Sequence, residues 1–306
     1  MKILVILASY NGAKYIEEQI DSILNQESVL LDIIVYDDCS TDNTVEVLNN
    51  YNLNNSVTIY KREKGTGNAA RNFLDSIESL SEELVNSYDF IAFSDQDDIW
   101  LPNKMLEAGK MLKNEQSSLY FSNLNLWDEN TNFKSIIKKS YPQKKYDYLF
   151  EGGSAGCTYV FTNELCIGLQ KVLKKTNYYE WKYFSHDWFV YFYARVNNFK
   201  VSIDSKAYIT YRIHANNAYG QVNRFSLSAI QERIKYVKNG WYFIHIKGFN
   251  KFITPGSAES RIYHLYAKNY ISRLYILIRY NFQLMRSSKK FIQFFIISLL
   301  PIKINK

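Results

Sequence analysis

The chain has 306 residues, 47% hydrophobic and 22% charged, which suits an ordinary globular protein with one large core or two modest ones. Three scattered cysteines, Cys39, Cys157 and Cys166, exclude a disulfide framework and a metal-type cysteine pair, and make a reducing cytoplasm the expected compartment. The net charge of +7 is uneven: residues 226–306 hold 14 Lys and Arg against Glu232 and Glu259, a net of +12, which leaves −5 on residues 1–225 and predicts a basic tail that favours a negatively charged surface.

The chain opens with Met1-Lys2 and the run ILVILA. Six apolar residues fall short of the ~7–15 of a signal-peptide core, and the run goes straight into the turn SYNG, so a buried first strand is predicted. No apolar run reaches the ~18–20 residues of a membrane-spanning helix. Strand and helix patterns then alternate. Strands are predicted at 3–8, 32–38, 57–62 and 89–95, and helices at 13–26, 43–51, 69–80 and 102–113. That alternation indicates βαβ units and a mostly parallel sheet, hence an α/β fold.

Beyond residue 115 the pattern loosens. Residues 118–127 alternate as a strand, 151–162 read as a glycine-rich loop feeding a strand, 185–195 as an aromatic helix, and 200–214 as one or two strands. From 226 the chain reads as helical, basic and aromatic.

In a parallel sheet, ligands bind at the carboxyl ends of the strands. Those ends carry ASYNG (8–12), DDCSTDNT (37–44), KREKGTGNAARN (61–72) and SDQDD (94–98). Asp95, Asp97 and Asp98 lie within four residues, after a buried strand and before Trp100. Such oxygens suit a hard cation, Mg²⁺ or Mn²⁺, which often takes only one or two carboxylates plus substrate phosphates. An exposed acidic turn is the plainer reading of any Asp-rich run. The neighbouring polar loops favour a site.

GTGNAA also fits the dinucleotide-binding G-x-G-x-x-A pattern. It follows the third predicted strand rather than the first, and a dehydrogenase has no use for the Asp cluster. The loop is therefore predicted to bring backbone toward a nucleotide.

The four loops SYNG (9–12), YDDCSTDNT (36–44), GTGNAARN (65–72) and SDQDDIW (93–100), in this order and spacing, resemble the family 2 glycosyltransferases of GT-A fold. The resemblance covers residues 1–215. SHDW (185–188) and YRIHANN (211–217) resemble bacterial rhamnosyltransferase-like members that build surface polysaccharides. What the resemblance implies is an inverting, metal-dependent transfer of a sugar, such as rhamnose, from a dTDP- or UDP-linked donor to a glycan or lipid-linked acceptor.

It also implies residue roles. Ser9, Asn11, Asp37, Asp38, Arg71 and Asp95 would bind the nucleotide sugar. Asp97 and Asp98 would hold the metal, and Asp187 would be the general base. Ser185 is expected to cap the helix that follows, with Asp187 in its first turn. Arg212 and His214 alternate on one strand, so both are expected to face the diphosphate, with His214 as a metal or phosphate contact. Trp181 and Trp188 are candidates for stacking on sugars, although most aromatic residues are core. Cys39 stands where the family more often has Gly in DDGS, which puts the geometry of that turn in question.

Residues 1–225 are expected to form the catalytic domain, with a nucleotide-binding half (1–115) and an acceptor half (116–225). Residues 226–306 are expected to be a helical extension. It either packs as a subdomain or homodimer contact, or holds the protein at the inner face of the membrane through 289–303. A nucleotidyltransferase would need a glycine-rich N-terminal loop that ASYNGAKY lacks, and a non-catalytic binding module would not need the four aspartates. The tail has no nucleic-acid-binding motif, so no nucleic-acid partner is expected.

Overall fold

Ile3 to Leu7 are wholly buried, the pattern of a strand covered on both faces. They form β1 (Lys2–Ser9) in a computed structural model that describes residues 1–214 and 227–301. After α1 (Ile16–Leu24), β2 (Leu30–Asp37) pairs parallel with β1. After α2 (Thr44–Asn49), β3 (Val57–Lys61) pairs parallel with β2. Helices α3 (Ala69–Ser79) and α4 (Glu82–Asn86) then carry the chain back, and β4 (Phe90–Ser94) joins the other side of β1.

The remaining elements of this part are β5 (Ile99–Trp100), α5 (Lys104–Glu115), β6 (Leu119–Asp128), β7 (Lys134–Ile137), β8 (Val160–Thr162), α6 (Asn163–Leu173), α7 (His186–Val196) and β9 (Val201–Ile213). The sheet order is β3-β2-β1-β4-β8-β6-β9-β5, with β7 on β6. Strand order reverses between β1 and β4, so the loops leaving their carboxyl ends diverge and open a crevice there. On the far side β5 pairs with β9, Ile99 opposite Thr210. That pairing sets the end of β9 against the residues just before Ile99, which are the aspartates.

The sequence pattern located β1 to β4, β6, β8, β9 and helices α1, α2, α3, α5 and α7. It missed β5, β7, α4 and the longer α6. The signs of α6 are present in the sequence: Thr162 caps Leu165 N, and Leu165, Cys166, Leu169 and Leu173 turn inward. Residues 200–214 form a single strand, with register irregularities against β6.

The described residues group into two units. The first comprises 1–140, 153–178 and 185–214. The second comprises 141–152, 179–184 and the C-terminal helices α8 (Leu227–Lys238), α9 (Trp241–Phe249), α10 (Ala258–Lys268), α11 (Tyr270–Tyr280) and α12 (Ser288–Ser298). Two short pieces from mid-sequence thus group with the C-terminal helices. Buried charge and aromatic packing fasten them. The Arg286 guanidinium lies 3.7 Å from Glu151 and 4.0 Å from Asp147, and Phe150 packs on Tyr263, Tyr266 and Phe294. Trp181 lies against Gly248, where any Cβ would come within 2.2 Å of the indole. Trp181 and Trp188 are both buried, so they act as packing residues rather than as sugar platforms.

Candidate functional site

The loops after β1 and β2 are laced together. Ser9 Oγ donates to Asp37 Oδ1 at 2.9 Å, and Ser40 donates to both oxygens of the same carboxylate. Asn11, at φ +49°, accepts from Thr41 N through its side chain, and its own N–H donates to Ser40 Oγ. Asp37 is therefore an internal anchor of the two loops.

Asp38 holds the loop after β3. It accepts from Thr66 N at 2.6 Å, Thr66 Oγ1 at 2.9 Å and Gly67 N at 3.3 Å. The amides expected to approach a nucleotide are here wrapped around this carboxylate. Arg71 N completes the cap of α3 on Asn68, and Arg71 Nη1 donates to Thr66 O. Cys39 sits at φ +64°, the conformation that explains the glycine common in this turn.

Gln96 spans the crevice, a role that sequence reasoning missed. Its amide accepts from Tyr10 N at 2.8 Å and donates to Tyr10 O at 3.0 Å. It thereby substitutes for a backbone ladder where β1 and β4 part. Gly12 leaves room for it.

The three neighbouring aspartates have different surroundings. Asp97 Oδ2 lies 2.9 Å from His214 Nε2, across 117 residues of sequence. Asp95 is pushed up to about 7, chiefly by burial and then by the charges of Asp97 and Asp187, so Asp187 belongs to the same cluster. Asp98 is turned inward. Its Oδ1 accepts from Arg212 N at 3.4 Å, and Oδ2 has no hydrogen-bond partner among the described residues. Burial, Asp97 and Asp95 push it well above the carboxylate range.

Beneath Asp98 lie Cys157 and Lys104, both buried. Burial pushes the Cys157 thiol up and pulls the Lys104 ammonium down to about 7, while Asp98 acts on both. Lys104 Nζ stands 3.4 Å from the centroid of the Trp100 ring. Neither residue was singled out from sequence for this role, although a lysine at the first position of an amphipathic helix was a visible anomaly.

Donor atoms of Asp95, Asp98 and Cys157 lie within 4.8 Å of one another. Cys157 fits a hard cation poorly, because sulfur is a soft ligand and Mg²⁺ and Mn²⁺ prefer oxygen. Asp97 and His214, bonded to each other, offer an oxygen and a nitrogen that Mg²⁺ or Mn²⁺ accepts, while Asp95 groups with Asp98 and Cys157.

The Arg212 guanidinium is committed elsewhere. It donates to Asp97 O at 3.1 Å, pairs with Glu18 and Glu129, and lies between the Tyr15 and Trp127 rings. Tyr15 also stacks on His214. The side chain expected to meet a diphosphate instead ties the end of β9 to the aspartate loop and to the loop after β1. Ala215, Asn216 and Asn217 of the YRIHANN stretch lie outside the described residues.

Asp187 occupies the first turn of α7. Ser185 is the N-cap residue, but its hydroxyl donates to Asp187 Oδ1 and caps no amide. Trp188 N donates to the same oxygen at 2.7 Å. Tyr159 Oη fixes the Asp187 carbonyl at 3.0 Å. The adjacent His186 is half-buried and packs on Phe73 and Phe93, and desolvation lowers its pKa.

A family model described as Glycosyl transferase family 2 matches residues 4–176, more than half the chain and all four loops. The chain is a family 2 glycosyltransferase. It is 33% identical to the dTDP-rhamnosyl transferase RfbG of Shigella flexneri over 282 residues, 90% of this chain and 92% of that protein. Among solved structures it is similar to S. aureus TarS 1-349 in complex with UDP-GlcNAc (TM-score 0.55, 17% identity, 98% of this chain and 82% of that one). It is also similar to the mannosyltransferase PcManGT from Pyrobaculum calidifontis in complex with GDP-Man and Mn²⁺ (TM-score 0.50, 14% identity, 91% and 74%). At these identities the two structures establish the fold, which for this glycosyltransferase is GT-A.

Proposed function

We propose that this glycosyltransferase moves a sugar, with inversion, from a nucleoside-diphosphate donor to a glycan or lipid-linked acceptor during surface polysaccharide synthesis. The convergence of Asp95, Asp97, His214 and Asp187 at the β1–β4 crevice carries the reading. A dTDP-rhamnose donor is favoured by similarity to RfbG along nearly the whole chain.

Asp187 is the proposed general base. Ser185 and Trp188 N hold Oδ1, which leaves Oδ2 to take the acceptor hydroxyl proton. The hydroxyl oxygen then bonds to the anomeric carbon as the bond from that carbon to the diphosphate breaks. Asp97 and His214 would hold Mg²⁺ or Mn²⁺, which when bound would neutralise the departing diphosphate. Asp37 and Asp38 shape the nucleotide loops through the hydrogen bonds described above, with Ser9, Asn11 and Arg71 around them. Arg212 positions Asp97.

Calorimetry with dTDP-rhamnose, UDP-glucose, UDP-galactose and UDP-N-acetylhexosamines tests the donor, with Mn²⁺ and with EDTA. Tight binding of dTDP-rhamnose that is lost in EDTA is the expected result. Equal affinity in EDTA rejects the metal. Asp187→Asn is expected to bind donor normally and to lose turnover by ~10²–10⁴. Turnover within a few-fold of wild type rejects Asp187 as the base.

A further inference from the structure

Helix α11 is apolar on two opposite sides. Ile276 and Leu277 are buried in the second unit. On the other side Ile271, Tyr275 and Ile278 are 79%, 55% and 62% exposed, and Phe282, in the turn that follows, is 46% exposed. The spacing of four and three residues keeps Ile271, Tyr275 and Ile278 in one stripe, and Phe282 follows the break at Asn281. On α12 Phe291 and Phe294 turn inward, while Ile292 and Ile296 are exposed. A helix apolar all round is normally buried or in a membrane. No helix here is long and apolar enough to cross one.

Charge identifies the occupant. Arg273 and Arg286 are buried, Arg286 beside Asp147 and Glu151. Lys235, Lys238, Lys247, Lys251, Arg261, Lys268, Arg279 and Lys289 are exposed, and none forms an ion pair among the described residues. Lys268 is the last residue of α10, three residues before Ile271, and Arg279 stands on α11 next to Ile278. Glu259, one of two acids in the C-terminal region, is bonded by Tyr148. A second copy of this surface would bring unpaired cations against each other. An anionic lipid surface takes the cations at its headgroups and the apolar stripe just below.

We propose that the exposed face of α11, with Arg279 on it and Lys268 at the end of α10 just before it, is a docking surface for anionic lipid. Ile271, Tyr275 and Ile278 enter the headgroup–acyl boundary while α11 lies flat. Electrostatic attraction brings the protein to the surface, so salt weakens the attachment. The inference stands apart from the identity of donor and acceptor, because vesicle binding requires neither.

The test is co-sedimentation of the full chain with vesicles of phosphatidylcholine and phosphatidylglycerol, against vesicles of phosphatidylcholine alone. The full chain is expected to pellet with the anionic vesicles at low salt and to be released as salt rises. Ile271→Ser/Ile278→Ser, two exposed positions, is expected to weaken partitioning at least ~10-fold, since each side chain loses several buried carbons. Circular dichroism and donor binding should be unchanged. Lys268→Ser/Arg279→Ser should weaken binding at low salt and flatten the salt dependence. A full chain that stays in the supernatant with anionic vesicles at low salt overturns the proposal. So does an isoleucine variant that pellets like wild type. A dimer in light scattering that the isoleucine variant dissociates, without vesicle binding, assigns the stripe to a second copy and also overturns it.

Discussion

Lys104→Met removes one charge and keeps most of the volume of the side chain. In the folded chain the Lys104 ammonium is buried on Trp100, next to Cys157 and Asp98. Asp98 is pushed well above the carboxylate range and no ion pair joins it to Lys104 among the described residues, so the substitution strands no charge. The loss is the desolvated cation–π contact with Trp100, up to about 2 kcal/mol. Two effects outweigh it. Burial costs the ammonium several kcal/mol, the cost that pulls its pKa down to about 7, and Met does not bear it. A cation also leaves the positive end of α5, returning about 0.3–1 kcal/mol. A net gain of about 1–3 kcal/mol is expected, read as a higher urea midpoint at unchanged slope. Lys104→Met no more stable than wild type refutes the reasoning.

Gly12→Ala places a Cβ 2.2 Å from Gln96 Oε1, so both bonds from Gln96 to Tyr10 should break, with a loss of about 1–3 kcal/mol and weaker donor binding by calorimetry. Cys39→Gly should stay within about 1 kcal/mol of wild type, whereas Cys39→Val, β-branched at positive φ, should lose about 2 kcal/mol or more in the same urea assay. His245 is buried and its pKa is pushed from 6.5 down to about 3. The unfolded chain therefore binds the extra proton first, and the contribution of His245 is complete above pH ~6.5 and lost as pH falls toward 3. Going from pH 7 to pH 5 should cost about 2 kcal/mol through this group, and His245→Phe should shrink that difference in paired urea titrations.

Local pattern was sufficient for much of this molecule. An unbroken apolar run as short as 3–7, ended by a turn, reads as a strand buried on both faces, and its alternation with amphipathic helices indicates parallel crossovers. Topology then puts the following loops on one edge, so SYNG, DDCSTDNT, GTGNAARN and SDQDD were recognisable as one site. The strain at Cys39 was visible too, because it depends on the backbone of a single turn. The partners of each aspartate were not visible. Whether a carboxylate faces a cation, a loop amide or a buried lysine depends on side chains that arrive from other elements. Asp97 meets His214 only because β5 pairs with β9. Asp98 turns away toward Lys104, and Asp38 is enclosed by the loop after β3. The same holds for Arg212, which a strand pattern aims at the site but which Glu18, Glu129 and two aromatic rings capture. Segments 141–152 and 179–184 read as part of the catalytic half, yet their contacts are with the C-terminal helices. Periodicity encodes which face of an element is apolar. It does not encode which distant surface will cover that face, because that choice is made by packing and charge neutralisation among all the elements at once.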